Sequence, residues 1–274
     1  MNLVITPPRF AEARLHTGVR LRYAEQGDPA GHAVILLHGY TDSSFSFSRV
    51  LPLLDASYHV YALDQRGHGD SERPAGGYAL RDFAADVVAF MDELGLESAT
   101  LAGHCMGSLV AQRVAIDAPR RVARLALVSS MTAASHIEGI FELQQAAEAF
   151  GDLVPPEFAR DFQAGTVYGP VPADFMEGVV AESLKVPARV WRATLAGLLA
   201  DDHTPRLDRI RTPTLILWGE QDALLRRGGQ DTLLGALANA DLKVYPETGH
   251  SPHWERPERV VRDLEAFIAR AETG

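Results

Sequence analysis

The stretch that decides the fold is Ala99-Thr100-Leu101-Ala102-Gly103-His104-Cys105-Met106-Gly107, running on into SLVAQRVAIDAP at 108–119. A short apolar run ends in Gly-x-Cys-x-Gly, and the residues that follow carry apolar positions at helical spacing. A strand that turns this sharply into a helix holds its central residue in a strained backbone conformation. Side chains two positions to either side would collide there, and Gly103 and Gly107 remove that collision. The central side chain then stands clear of the sheet, beside the unpaired N–H groups and partial positive charge of a helix start. A lone cysteine is more often an inert buried residue. Its position at the centre of a strand-to-helix elbow argues instead that Cys105 is a nucleophile.

Outward from the elbow, similar apolar runs recur at Ala33–Leu37, Tyr58–Leu63, Leu125–Val128, Thr214–Trp218 and Leu242–Tyr245. Each is followed by a helix-length segment. Runs that are apolar on both faces suit strands buried between two helical layers, and their alternation with helices predicts a mostly parallel, right-handedly wound sheet. Residues 10–16 and 19–25 read as a hairpin around Thr17-Gly18. The spacing breaks once: roughly 80 residues separate the strand ending near Ser129 from the one starting near Thr214, far more than a crossover needs. Amphipathic segments at His136–Phe150, Pro155–Ala164, Asp174–Leu184 and Pro187–Leu199 fill the gap, punctuated by Pro155-Pro156, Gly169-Pro170 and Pro187. The expected organisation is a core of 1–130 and 206–274 with a helical cap, or lid, at 131–205.

Ligands of parallel sheets bind beyond the carboxyl ends of the strands, so the residues after each run are the ones to inspect. Asp222 follows the Thr214–Trp218 run in Gly219-Glu220-Gln221-Asp222, and His250 follows the last run in Glu247-Thr248-Gly249-His250. Singly, an aspartate in a turn or a histidine near a helix start is ordinary. In the order nucleophile, acid, histidine, they form a candidate catalytic triad of Cys105, Asp222 and His250. His250 would manage the nucleophile's proton and Asp222 would orient its ring. Glu220 is the nearest substitute acid, with Asp201 and Asp202 further back. After the first run, His38-Gly39-Tyr40-Thr41 can aim the Tyr40 N–H at a developing oxyanion, with the Met106 N–H as second donor. The plain alternative is a tight turn. Asp64-Gln65-Arg66-Gly67-His68-Gly69-Asp70-Ser71 is polar enough to suggest chemistry, but its glycines and charges read as a turn in which Asp64 and Arg66 tie loops together. No metal site is expected: H-E-x-x-H is absent, and His250-x-x-His253 alone is a weak chelate. No phosphate-cradling Gly-rich loop follows a strand, and no cofactor is implied.

Bulk properties bound the function. The 274 residues carry 26 basic and 36 acidic side chains, a net charge of −10, which argues against a nucleic-acid backbone binder. With 46% hydrophobic and 23% charged residues the composition is that of a globular domain. MNLVITPPRFAEARL lacks the pattern of a secretory leader, no apolar run approaches a membrane span, and a single cysteine forms no internal disulfide. A cytoplasmic protein without membrane association is the expectation; oligomeric state is not legible.

With these residues in hand, the chain resembles the capped α/β-hydrolase superfamily. The resemblance rests on LLHGY (36–40), LDQRGHGDS (63–71), AGHCMGS (102–108), LWGEQD (217–222) and ETGHSPHWERPE (247–258), in that order and spanning nearly the whole chain. It implies an α/β fold with an eight-stranded, mostly parallel sheet flanked by helices and an inserted helical cap. It also implies hydrolysis of a small carboxylic ester or lactone through an acyl intermediate, here a thioester on Cys105; the apolar and aromatic residues of the cap, among them Ile140, Phe141, Phe162 and Trp191, suggest that the substrate is apolar or partly so. The carboxylesterase, lactonase and carbon–carbon hydrolase branches are the most similar. Carbon–carbon bond hydrolysis and acyl transfer on the same scaffold are alternatives, as is a non-catalytic ligand receptor, although a pure binder would not need both Asp222 and His250. The departure is Cys105, where most relatives carry serine. Either the enzyme uses sulfur naturally, or a serine hydrolase has been altered at this position.

Overall fold

The computed structural model describes residues 7–270. Residues 1–6 and 271–274, which include part of the leader reading and the outer ends of the expected core segments, lie outside the described residues. Eight strands form one sheet: β1 (Arg9–Arg14), β2 (Arg20–Gly27), β3 (Ala33–Leu37), β4 (His59–Leu63), β5 (Ala99–His104), β6 (Val122–Val128), β7 (Thr214–Gly219) and β8 (Ala240–Tyr245). Their order is β1-β2-β4-β3-β5-β6-β7-β8. β2 runs antiparallel to both β1 and β4, and every other neighbouring pair is parallel. The hairpin forms where Thr17-Gly18 predicts it, closed by the Leu15 and Gly18 amides, with Gly18 at φ +87°.

The continuously apolar runs are explained by burial on both sides. All of β3, β4, β5 and β7 is buried. Alternate residues serve opposite layers, as the two-residue period of a strand requires. Ile35, Leu37, Leu63 and Leu101 join one apolar cluster with helices α1 (Leu80–Glu93) and α2 (Met106–Asp117). Val34, Leu36, Ala62 and Ala102 join a second. Its other wall is Val261, Leu264 and Ile268, near the C-terminus. Each such Leu, Ile or Val contributes roughly 1.5–3 kcal/mol by leaving water.

Four helices lie between β6 and β7: α3 (Glu138–Glu148), α4 (Pro156–Ala164), α5 (Ala173–Lys185) and α6 (Ala188–Leu199). They are anchored by Trp191, fully buried among Phe150, Phe158, Phe162 and Tyr40 with ring centroids 5.3 to 6.2 Å away. The Tyr40 hydroxyl donates to the Trp191 carbonyl at 2.8 Å, fastening this layer to the loop after β3. Three more helices follow: α7 (Arg227–Ala236), α8 (Pro252–Glu255) and α9 (Pro257–Ile268). Because β3, β5, β6, β7 and β8 are parallel, the loops leaving their carboxyl ends converge on one edge of the sheet, beneath α3–α6.

Candidate active site

Cys105 sits between β5 and α2 with φ +48° and ψ −111°. Non-glycine residues rarely adopt positive φ, and such strain gathers at functional sites. Thr41, Ser129 and Glu247 share positive φ, each just past the end of β3, β6 or β8. The glycines of the elbow are required sterically. A Cβ on Gly103 would lie 2.2 Å from the Gly107 carbonyl oxygen, and one on Gly107 would lie 2.1 Å from that of Leu37. The Cys105 amide donates to Val128 O at 3.0 Å, and its carbonyl accepts from the Ser108 hydroxyl at 2.6 Å. The residue is therefore held from both sides while its side chain stays partly accessible.

Of the three residues expected to act together, Asp222 and His250 are hydrogen-bonded, and Cys105 borders the same cavity as His250. Asp222 Oδ1 accepts the Leu224 and Leu225 amides at 2.9 and 2.8 Å, which leaves Oδ2 to take His250 Nδ1 at 2.8 Å. Burial disfavours a charged imidazole at 250, but the Asp222 carboxylate and the Cys105 sulfur outweigh it and hold the His250 pKa well above its ordinary value. Glu220 is exposed and has no part in this arrangement. Asp201 is occupied by Arg113 and Arg206, and Asp202 caps the amide of Thr204. Met106 is the first residue of α2, where the helix supplies no acceptor for its N–H. Tyr40 borders the same small cavity as Cys105, Met106 and His250.

The polar stretch after β4 is structural, as its composition predicts. Arg66 makes a two-pronged, buried ion pair with Asp86 at 2.6 Å and also donates to Gly77 O. Asp64 accepts the amides of Ser44 and Asp70. His253 does not pair with His250 as a chelate: its Nε2 meets Ser46 Oγ at 3.0 Å. Among the described residues no group of three or more His, Cys, Asp or Glu side chains is arranged to hold a metal ion.

Three groups near the site were not singled out from sequence. Asp42 is buried, accepts from Gln163 Nε2 of α4 at 2.9 Å, and has its Oδ2 3.9 Å from His104 Nδ1. Burial drives its pKa from 3.8 up to about 7. His104 Nε2 meets the His250 carbonyl at 3.0 Å and so supports the catalytic candidate from behind. That contact requires the proton on Nε2, so Nδ1 is a bare acceptor, and among the described residues it has no partner. Burial and the neighbouring histidines keep His104 neutral, so its approach to Asp42 is not an ion pair. Glu255 lies on the far side of the His250 loop. Its Oε1 accepts the Gly249 amide at 2.7 Å, and Oε2 accepts Tyr168 and Gly169 at 3.1 and 2.6 Å. It thereby ties the chain after α4 to the loop carrying His250. The Thr166 carbonyl adds a bond from the Ser251 amide at 3.1 Å. A carboxylate four residues beyond His38, and another within ETGHSPHWERPE, were the only sequence signals for these roles.

A family model described as the alpha/beta hydrolase fold matches residues 32–257. Among curated proteins, the chain is 32% identical over 257 residues to the dihydrolipoyllysine-residue acetyltransferase component of an acetoin cleaving system from Cupriavidus necator. That alignment covers 92% of this chain and 66% of the relative, so the chain spans about two thirds of that protein's length. It is 29% identical to a non-heme haloperoxidase from Rhodococcus erythropolis over 268 residues, covering 92% of this chain and 96% of the relative. The solved structure of the esterase RhEst1 from a Rhodococcus species superposes with a TM-score of 0.85 at 25% identity, covering 95% and 98% of the two chains.

Proposed function

From the premise that this chain belongs to the α/β-hydrolase family, we propose that it hydrolyses a small carboxylic ester or lactone through an acyl-thioester on Cys105. The observation that carries this reading is that Cys105, strained at φ +48°, borders one cavity with His250, whose ring is held by Asp222 at 2.8 Å. The Cys105 thiol passes its proton to His250, and its sulfur attacks the carbonyl carbon and forms an S–C bond. The carbonyl electrons move onto oxygen, where the Tyr40 and Met106 N–H groups stabilise the charge; each donor is worth roughly 3–4 kcal/mol. Collapse breaks the C–O bond, and the leaving alkoxide takes a proton from His250. Water then gives a proton to His250 and attacks the thioester carbon; sulfur leaves, and the acid is released. Asp222 keeps the imidazole in one tautomer throughout. In this reading 131–205 acts as the lid over a core of 1–130 and 206–274. It supports the proposal that α3, α4 and α6 all wall the cavity at Cys105.

The test is pre-steady-state hydrolysis of p-nitrophenyl acetate. A burst of one nitrophenolate per chain, abolished in Cys105→Ala, is expected; steady release that survives Cys105→Ala would overturn the assignment. Comparison with Cys105→Ser distinguishes an enzyme built around sulfur from one built around oxygen. The acetyltransferase relative makes acyl transfer the second reading. Added alcohol or thiol that diverts the acyl group from water, with no loss of total turnover, would favour it.

A further inference from the structure

Resting on the acyl-enzyme reading above, we infer that Gln163 of α4 is a positioning residue for acylation. It fixes the turn that carries the Tyr40 N–H, so that removing its side-chain amide slows attack on an ester without altering the thiol. The turn is Gly39–Asp42, closed by the Asp42 amide on Gly39 O at 3.3 Å. Its third residue, Thr41, sits at φ +66°, a conformation that glycine adopts freely and a β-branched side chain resists. Such a conformation persists only where its surroundings over-determine it. On one side the turn is pressed against the elbow: a Cβ on Gly39 would lie 2.7 Å from His104 Nδ1. On the other side it is held by α4, α5 and α6. The Tyr40 hydroxyl donates to Trp191 O of α6, and its ring meets Phe162 of α4 edge-on with centroids 6.0 Å apart. Gln163 supplies the remaining hold. Its Nε2 donates to Asp42 Oδ1 at 2.9 Å and to Ser183 Oγ of α5 at 2.6 Å, with Thr41 Oγ1 at 3.5 Å.

Thr41, Asp42, Gln163 and Ser183 are all buried, and an amide in such a place is a costly fastener. The Gln163 Oε1 has no partner among the described residues, and an unpaired buried acceptor weakens the fold. A methionine or leucine would pack α4 against the turn without that penalty. What the amide adds is direction. Its N–H groups go to acceptors on two different elements, which fixes the Asp42 carboxyl and, through it, the end of the turn. Gln163 can serve as a reference point because the chain that follows it is tied to the loop carrying His250. Its carbonyl accepts the Thr166 hydroxyl at 2.8 Å, and the Thr166 carbonyl accepts the Ser251 amide at 3.1 Å. The Tyr168 and Gly169 amides go to Glu255, whose other oxygen holds the Gly249 amide. The turn of the oxyanion donor and the loop of the histidine are thus registered to one stretch, 163–169. Phe162 and Thr166 also border the cavity at Cys105, where the acyl group forms in this reading.

The experiment compares two reactions of the same sulfur in the parent and in Gln163→Met, which keeps the reach of the side chain and removes its donors. The burst with p-nitrophenyl acetate gives the acylation rate constant and the ester concentration at half-saturation. Iodoacetamide alkylates Cys105 by displacing iodide, a step that forms no oxyanion. The acylation rate constant should fall at least about tenfold, because a misplacement of about 1 Å can cost on the order of 10²-fold, while half-saturation and the alkylation rate stay within about threefold. Circular dichroism checks that the variant is folded. Should it not fold, Ser183→Ala decides: it frees one N–H of the amide and should lower acylation severalfold with alkylation unchanged. Acylation that is unchanged in the folded variant, or that falls together with alkylation, overturns the positioning role while the acyl-enzyme reading stands. A parent protein that iodoacetamide alkylates at Cys105 but the ester never acylates there overturns the acyl-enzyme reading and this inference together.

Discussion

Asp42→Asn should stabilise the protein, and by an amount that grows with pH. The Asp42 carboxyl is buried beside the candidate site, and its pKa rises from 3.8 to about 7, chiefly because burial penalises the charge. The folded state therefore holds a proton that the unfolded chain releases between about pH 4 and pH 7, and stability falls as pH rises through that window. At 1.36 kcal/mol per pH unit the full difference is about 4 kcal/mol, of which roughly 2 to 3 kcal/mol develops between pH 5 and pH 8. The unpartnered His104 Nδ1 supports the sign. It is a bare acceptor 3.9 Å from Asp42 Oδ2, which a protonated carboxyl, or the amide of the variant, can satisfy after a small shift. The oxygen of that introduced amide can still accept from Gln163. Urea unfolding of both proteins at pH 5, 6, 7 and 8 measures the difference directly, because groups common to both cancel. A gap between variant and parent that widens by about 2 kcal/mol or more with pH is expected, with equal m-values. A constant gap, or one that narrows, would refute the claim that Asp42 is folded as the acid.

Other consequences follow from single contacts. Asp222→Asn should keep the fold and lower turnover on the order of 10⁴-fold, since the amide favours the wrong His250 tautomer; steady-state kinetics beside a circular-dichroism spectrum checks both halves. Gly107→Ala should cost about 3 kcal/mol or more, because the new Cβ would lie 2.1 Å from Leu37 O; thermal melting reads this. Glu255→Gln turns an amide NH₂ toward either the Gly249 amide or those of Tyr168 and Gly169, where two acceptor oxygens are needed. A loss of about 1–3 kcal/mol is expected in urea titrations, and Glu255→Asp should not restore it because the shorter chain cannot span both segments.

The sheet was legible because burial between two layers leaves little room for polar residues in β3, β4, β5 and β7, where His59, Thr100, His104 and Thr214 stand at or near strand ends, so each strand stands out as a largely apolar run. The elbow was legible for a steric reason: 103 and 107 admit only glycine. The helices α3–α6 begin and end within about two residues of the amphipathic segments, where Pro155, Pro156 and Pro187 set starts that no long-range contact needs to specify. β5 and β6 extend past their apolar runs, through Gly103-His104 and from Val122, because ladder pairing continues where side-chain pattern does not. The support around the site was not legible. Asp42 and Gln163 are 121 residues apart, and Glu255 meets Tyr168 across 87, so nothing local marks them as partners.

The central claim is that the sulfur of Cys105 carries the acyl group. It is tested most directly by mixing the protein with p-nitrophenyl acetate, quenching in acid within the first turnover, and mapping peptides by mass spectrometry. One acetyl group per chain on the peptide containing Cys105, lost on treatment with hydroxylamine and absent from Cys105→Ala, is predicted. Nitrophenolate release with Cys105 unmodified at every time point, or acetylation of another residue in its place, would contradict the account.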